Sequence, residues 1–170
     1  MINIRKNIFE TNSSSTHSIV IVKDEKELDI PNKMTVHLER EFGWSYEFFN
    51  TAEEKLEYLI FGLIDSADSV VEAIENIEKL VQIVKKWVDK VYIKGMKLEL
   101  YGNHFYIDTE GFLDHGNDTE ELLNSVLNDE ELLKRFLFSS LSFIATGNDN
   151  EEGYPTINVD YEYDEFLKGN

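Results

Sequence analysis

The stretch Met96-Lys97-Leu98-Glu99-Leu100-Tyr101-Gly102-Asn103-His104-Phe105-Tyr106-Ile107 decides the fold class. Two runs of alternating apolar and polar residues flank a Gly-Asn pair. Such a pair supplies the backbone freedom of a two-residue turn, so the stretch predicts an antiparallel hairpin. A hairpin pairs neighbours in the chain directly and needs no helical crossover, unlike a parallel sheet.

Upstream lie two predicted helices. Thr51 and Glu54 form a capping-box pattern, and Leu56, Leu59, Ile60, Leu63 and Ile64 follow on one helical face. Ser69 and Glu72 repeat the cap. Val70, Ile74, Ile77, Val81, Val84 and Val88 then step by four and three residues. Core packing explains this seam better than a coiled-coil dimer. Val91 to Ile93 extends it before Gly95.

Before the helices, Ile19 to Val22 reads as a buried strand. Met34, Val36 and Leu38, then Phe42, Trp44, Tyr46 and Phe48, alternate with polar residues as two half-buried strands. After the hairpin comes a loop from Asp108 to Asn117. Asp118 with Glu121, and Asn128 with Glu131, predict the caps of two shorter helices. The run Phe136 to Ile144 ends the second of these, its last part reading equally well as strand. Thr146 to Asn150 reads as a turn. Ile157, Val159, Tyr161 and Tyr163 predict a final strand with an acidic face. The expected architecture is α+β, residues 1–170 forming a single compact domain. It has a mostly antiparallel sheet, a central two-helix segment and two shorter helices.

The 170 residues carry a net charge of −18, unevenly spread: +2 over residues 1–23, −7 over 24–95 and −13 over 96–170. A nucleic-acid binder needs cations against phosphates, so direct nucleic-acid binding is not expected. A basic protein partner is. The 42% hydrophobic content supports a folded core over a disordered acidic tail. With no cysteine there is no disulfide and no thiolate chemistry. No signal-peptide pattern or membrane-length apolar run stands out, which reads as a cytoplasmic protein.

Three polar clusters are candidate sites. The first is Glu10-Thr11-Asn12-Ser13-Ser14-Ser15-Thr16-His17-Ser18. Its hydroxyls and backbone N–H groups could cradle a phosphate or carboxylate. Thr11, Asn12, Ser13, Ser14, Ser15, Thr16, His17 and Ser18, with Arg5 nearby, form the candidate ligand set. His17 could serve as acid, base or metal ligand, and a serine as nucleophile. The competing reading is a loop whose side chains close local turns. The second cluster is Asp114-His115-Gly116-Asn117-Asp118, a metal-site candidate through Asp114 and His115, or simply a turn and helix cap. The third is Gly147-Asn148-Asp149-Asn150-Glu151-Glu152, which lacks EF-hand spacing and supplies only Asp149 as a further metal-ligand candidate. His37 and His104 read as solvent-facing or hydrogen-bonded sheet residues. No cofactor is named by any motif, and the Walker pattern is missing.

The string Arg5-x3-Phe9-Glu10-Thr11-Asn12-Ser13-Ser14-Ser15-Thr16-His17-Ser18 resembles a group of phage and prophage proteins of Gram-positive bacteria. Gly111-Phe112-Leu113-Asp114-His115 and Thr146-Gly147-Asn148-Asp149-Asn150 are similar to segments of that group as well. The resemblance implies a phage origin, expression in the bacterial cytoplasm and an accessory role against host machinery, including defence systems. Three functions follow as expectations. The first is a binding protein for a basic host protein or a nucleotide-like, phosphate-bearing ligand. The second is a hydrolase of phosphoesters or nucleotides, with His17, Asp114 and His115 as its catalytic candidates. The third is an acidic DNA mimic using Asp160, Glu162 and Asp164. The acidic background favours binding over catalysis and leaves the oligomeric state open.

Overall fold

The computed structural model describes residues 15–23, 28–43, 45–114, 119–148 and 163–168. The chain is α+β, as expected. Its elements in order are β1 (Ser15–Val22), β2 (Lys33–His37), β3 (Glu41–Phe42), β4 (Glu47–Phe49), α1 (Ala52–Ser66), α2 (Val70–Val84) and β5 (Lys90–Lys94). There follow β6 (Met96–Tyr101), β7 (His104–Thr109), β8 (Phe112–Leu113), α3 (Glu120–Asn128), α4 (Glu130–Phe138), β9 (Phe143–Asn148) and β10 (Tyr163–Lys168).

One four-stranded antiparallel sheet runs in the order β10-β1-β9-β4. Its register sets His17 opposite Thr146 and Ile19 opposite Ile144. On the other side of β1, Ile21 faces Asp164. Successive strand residues point to opposite faces. Ile19 and Ile21 therefore enter the main core with α1 and α4, while Val20 meets Phe143 and Ala145 on the reverse face.

A second strand system is parallel, within strand pairing that is mostly antiparallel as expected. β2 pairs with β5 from Lys33↔Lys90 to His37↔Lys94. β3 pairs with β8 in the same sense. The link between them is continuous: the Leu38 N–H donates to the Lys94 carbonyl at 2.9 Å, and the Gly111 N–H donates to the Leu38 carbonyl at 3.0 Å. Residues 33–42 thus run beside a strand interrupted at 95–110, where the β6–β7 hairpin is extruded. The hairpin has the register read from sequence, Tyr101 opposite His104, with Gly102 at φ +62°. The parallel pairs are possible because α1 and α2 lie between β2 and β5 in the chain and supply the crossover.

α1 forms as its capping box predicts: Thr51 Oγ1 accepts from the Glu54 N–H, and Glu54 Oε2 accepts from the Thr51 N–H. It is not a one-faced surface helix, however. Every residue from Lys55 to Ile64 is buried. Lys55 Nζ satisfies its burial by donating to the carbonyls of Ser139 (2.8 Å) and Ser142 (3.1 Å). α2 is the amphipathic helix expected. Ala73, Ile77, Leu80 and Val84 lie in the core, flanked by partly buried Val70, Ile74 and Val81, but the helix stops at Val84: Val88 is buried beyond its end, and Val91 to Ile93, expected to extend the seam, belong to β5.

Two caps differ from expectation. α4 is capped by Asp129, whose Oδ1 accepts from the Glu131 and Leu132 N–H groups at 3.0 Å. Asn128 remains the last residue of α3, its amide donating back to the Asn124 carbonyl at 2.7 Å. The expected cap Asp118 lies outside the described residues, and Thr119 holds the N-cap position of α3. The run from Phe136 divides cleanly, α4 ending at Phe138 and β9 starting at Phe143. Thr146 to Asn148, read as a turn, belongs to β9. Much of the expected last strand, 157–162, lies outside the described residues, and β10 starts at Tyr163.

Candidate functional site

The polar run reads differently once the sheet is in place. Ser15, Thr16, His17 and Ser18 are the first half of β1 rather than part of a loop: all four pair with β9, and His17 and Ser18 pair with β10 as well. Arg5 and Thr11 to Ser14 lie outside the described residues. His17 faces inward and is 1% exposed. Its Nδ1 lies 2.9 Å from the hydroxyl of Tyr58 on α1, within a hydrogen bond, and the two rings sit 5.6 Å apart. Tyr58 is itself fully buried, and burial pushes its hydroxyl well above the usual phenol range. Strand alternation sends Ser18 to the face opposite His17, so the two do not form a nucleophile and base. His17 is therefore a core histidine tied to a core tyrosine.

Asp114 ends β8. Its N–H donates to the Phe42 carbonyl at 2.8 Å, and its side chain is half-buried. Phe42 meets Tyr58 edge-on at 5.2 Å. Asp114 and His17 are thus linked through Phe42 and Tyr58, as two ends of one stretch of core wall. The candidates His115 and Asp149 lie outside the described residues. Among the described residues, no group of three or more His, Asp or Glu side chains is arranged to hold a metal ion. His37 is exposed and lies 4.0 Å from Glu39, and His104 is exposed on β7, both as expected. Of the acidic row, Asp160 and Glu162 are outside the described residues, and Asp164 is in β10.

The sequence reading missed a polar cluster where β2 gives way to β3. Glu57 of α1 has no exposed side-chain surface. Its Oε1 accepts from two successive backbone N–H groups, Glu39 (2.8 Å) and Arg40 (2.9 Å), and its Oε2 accepts from the Arg40 guanidinium. In a regular strand successive N–H groups point to opposite sides, so the backbone bends at 39–40 around this carboxylate. Burial raises the Glu57 pKa above the usual carboxylate range, against the lowering pull of the Arg40 and Glu39 bonds. Glu54 lies 3.5 Å from the same guanidinium.

Arg40, so held, forms one wall of a cleft of about 360 Å³ completed by Glu41, Ser45, Glu47 and Phe49. The cleft lies between the β3–β8 pair and β4 at the edge of the large sheet. Thr146 Oγ1 donates to the Ser45 carbonyl at 2.9 Å and fastens that rim. Among the described residues its one cation, Arg40, is already paired by Glu54 and Glu57, so Glu41 and Glu47 set its character. Such a space suits a cationic, partly apolar group, with carboxylates for the charge and the Phe49 wall for the methylenes. The one sequence signal was Glu57 between Leu56 and Tyr58, three residues after the capping Glu54. No protein-family model, curated protein or solved structure matches this chain.

Proposed function

We propose that this chain is a non-enzymatic binding protein that takes a basic side chain of a host protein into the Arg40–Phe49 cleft. The phage accessory role implied by the N-terminal resemblance supplies the setting. The carrying observation is the cleft itself. Its carboxylates Glu41 and Glu47 stand beside an arginine whose charge is already matched, so the space favours a lysine or arginine brought by the partner. The net charge of −18 adds long-range attraction for a basic surface, which raises the association rate. The location of His17, sealed in the core against Tyr58, argues against its service as a general base, which must reach substrate.

The test is a calorimetric titration with an arginine- and lysine-rich peptide, on wild type and on a Glu41→Lys/Glu47→Lys variant of unchanged melting temperature. Binding that weakens about tenfold or more in the variant, with a steeper loss at high salt in wild type, is the expected result. Equal binding by both proteins overturns the assignment. So does turnover of a phosphoester or nucleotide that disappears in a folded His17→Ala variant.

A further inference from the structure

We propose that the β6–β7 hairpin is a homodimerisation arm through which two copies pair their β6 strands, antiparallel, about Leu98. The arm leaves and rejoins the body at one place. The residues on either side of it, Lys94 and Gly111, bond to the N–H and the carbonyl of the same residue, Leu38. Both roots are glycines. Gly95 has φ +81°, and a Cβ on Gly111 would lie 2.2 Å from the Arg40 carbonyl oxygen.

Every residue of β6 is exposed. Met96, Leu98 and Leu100 share one face with Phe105 and Ile107 of β7 by register. Ile107, near the root, is buried, but Leu98, Phe105 and Leu100 are 55%, 59% and 61% exposed. Among the described residues β6 pairs with β7 alone. An edge strand with an open apolar face is a template for another strand.

The sequence of β6 indicates which strand. A twofold pairing centred on Leu98 sets Lys97 of one copy opposite Glu99 of the other, twice. It also sets Met96 opposite Leu100, twice, and Leu98 opposite itself. The apolar and polar faces then continue across both copies. Within each arm Lys97 already lies opposite Asp108, and Glu99 Oε2 accepts from the Tyr106 hydroxyl at 2.6 Å. The polar row across four strands therefore sets no like charges side by side: Asp108 and Lys97 from one copy, then Glu99 and the neutral Tyr106 from the other. A one-residue slip sets apolar against polar residues on each face. A two-residue slip sets Lys97 against Lys97 or Glu99 against Glu99. One register is self-complementary, and closed twofold pairing is the usual form of homo-oligomers. The contact is smaller than a standard interface, so the dimer belongs to the weak, reversible class.

Sedimentation velocity over a concentration series, at physiological salt to screen the −18 of each copy, tests this. Wild type should show a monomer–dimer equilibrium. Lys97→Glu and Glu99→Lys, each folded by circular dichroism, should each weaken it about tenfold, since both pairs become like charges. An equimolar mixture of the two variants should regain wild-type strength, because one brings two carboxylates and the other two ammonium groups. A double Lys97→Glu/Glu99→Lys variant should dimerise like wild type and serves if a single variant does not fold. A wild type that stays monomeric, open-ended oligomers, or a dimer indifferent to these substitutions overturns the proposal. So does a mixture that is no tighter than its components. None of these outcomes depends on the Glu41–Glu47 cleft.

Discussion

Glu57→Ala should be among the most damaging single substitutions in the chain, although sequence places Glu57 at an ordinary polar helix position. The carboxylate receives the N–H groups of Glu39 and Arg40 and the Arg40 guanidinium. Alanine leaves two part-buried N–H groups without that acceptor, at about 1–3 kcal/mol each, and a guanidinium with only Glu54. It also leaves a void against the bend at 39–40. Breaking a buried pair from one side costs roughly 3–5 kcal/mol, and the whole effect should fall there. With a urea slope of about 2 kcal/mol/M, the unfolding midpoint drops by about 2 M. The assay is urea unfolding followed by tryptophan fluorescence and circular dichroism. Glu57→Gln is the control. Its amide oxygen still serves both N–H groups, so only the charged bond to Arg40 is lost, about 1–2 kcal/mol. Alanine within about 1 kcal/mol of wild type, or glutamine as damaging as alanine, would refute the role given to this carboxylate.

Glu57 also has a pH signature. Its folded pKa lies above its unfolded one because desolvation dominates. Between those two values the folded chain holds a proton that the unfolded chain has released. Its contribution is therefore greatest below the ordinary carboxylate range and declines as pH rises through the raised value. The difference in unfolding free energy between wild type and Glu57→Gln, measured across acid pH, should show that decline, and a flat or rising difference would contradict it. Gly111→Ala should destabilise by about 3 kcal/mol or more, since its Cβ would meet the Arg40 backbone. Gly102→Ala, at φ +62° with nothing within 4 Å, should cost only about 1–2 kcal/mol. Thermal melts compare them, and equal losses would remove the packing argument.

Local signals in the sequence carried through where they were local in the structure. The Thr51–Glu54 box, the α2 seam and the Gly102-Asn103 hairpin all depend on neighbours a few residues away. Long-range satisfaction was invisible. Nothing near Lys55 in sequence announces the Ser139 and Ser142 carbonyls that let it be buried. Nothing near Glu57 announces the Glu39 and Arg40 N–H groups. A helix with two buried charges therefore looked amphipathic. The Thr16–Ser18 segment misled in the opposite sense. Its polar residues read as a loop, yet a strand accepts them because β9 pairs with all three, β10 pairs with His17 and Ser18, and Tyr58 takes the imidazole. The parallel β2–β5 pair was equally hidden, since both strands are short and the crossover takes two helices.

The candidate cleft and the extruded arm share one root, the backbone from Leu38 to Gly43. Leu38 bonds to both ends of the interrupted strand. Glu39 and Arg40 turn their N–H groups to Glu57, and Glu41 and Arg40 line the cleft. Gly43, at φ +96°, then follows the last β3 residue, Phe42, ahead of the rim residue Ser45. A single buried carboxylate on α1 thus holds the bend from which both surfaces are presented. The sharpest consequence is a coupling: loosening Glu57 should disturb the cleft through Arg40 and the arm through Leu38 together. Substitutions at Glu41 or at Lys97 should each disturb one surface and leave the other as it was. Local opening at the bend would therefore be seen by amide exchange at Leu38 and Gly111 before the central strands β1 and β9 of the large sheet lose protection, because those two have neighbours on both sides.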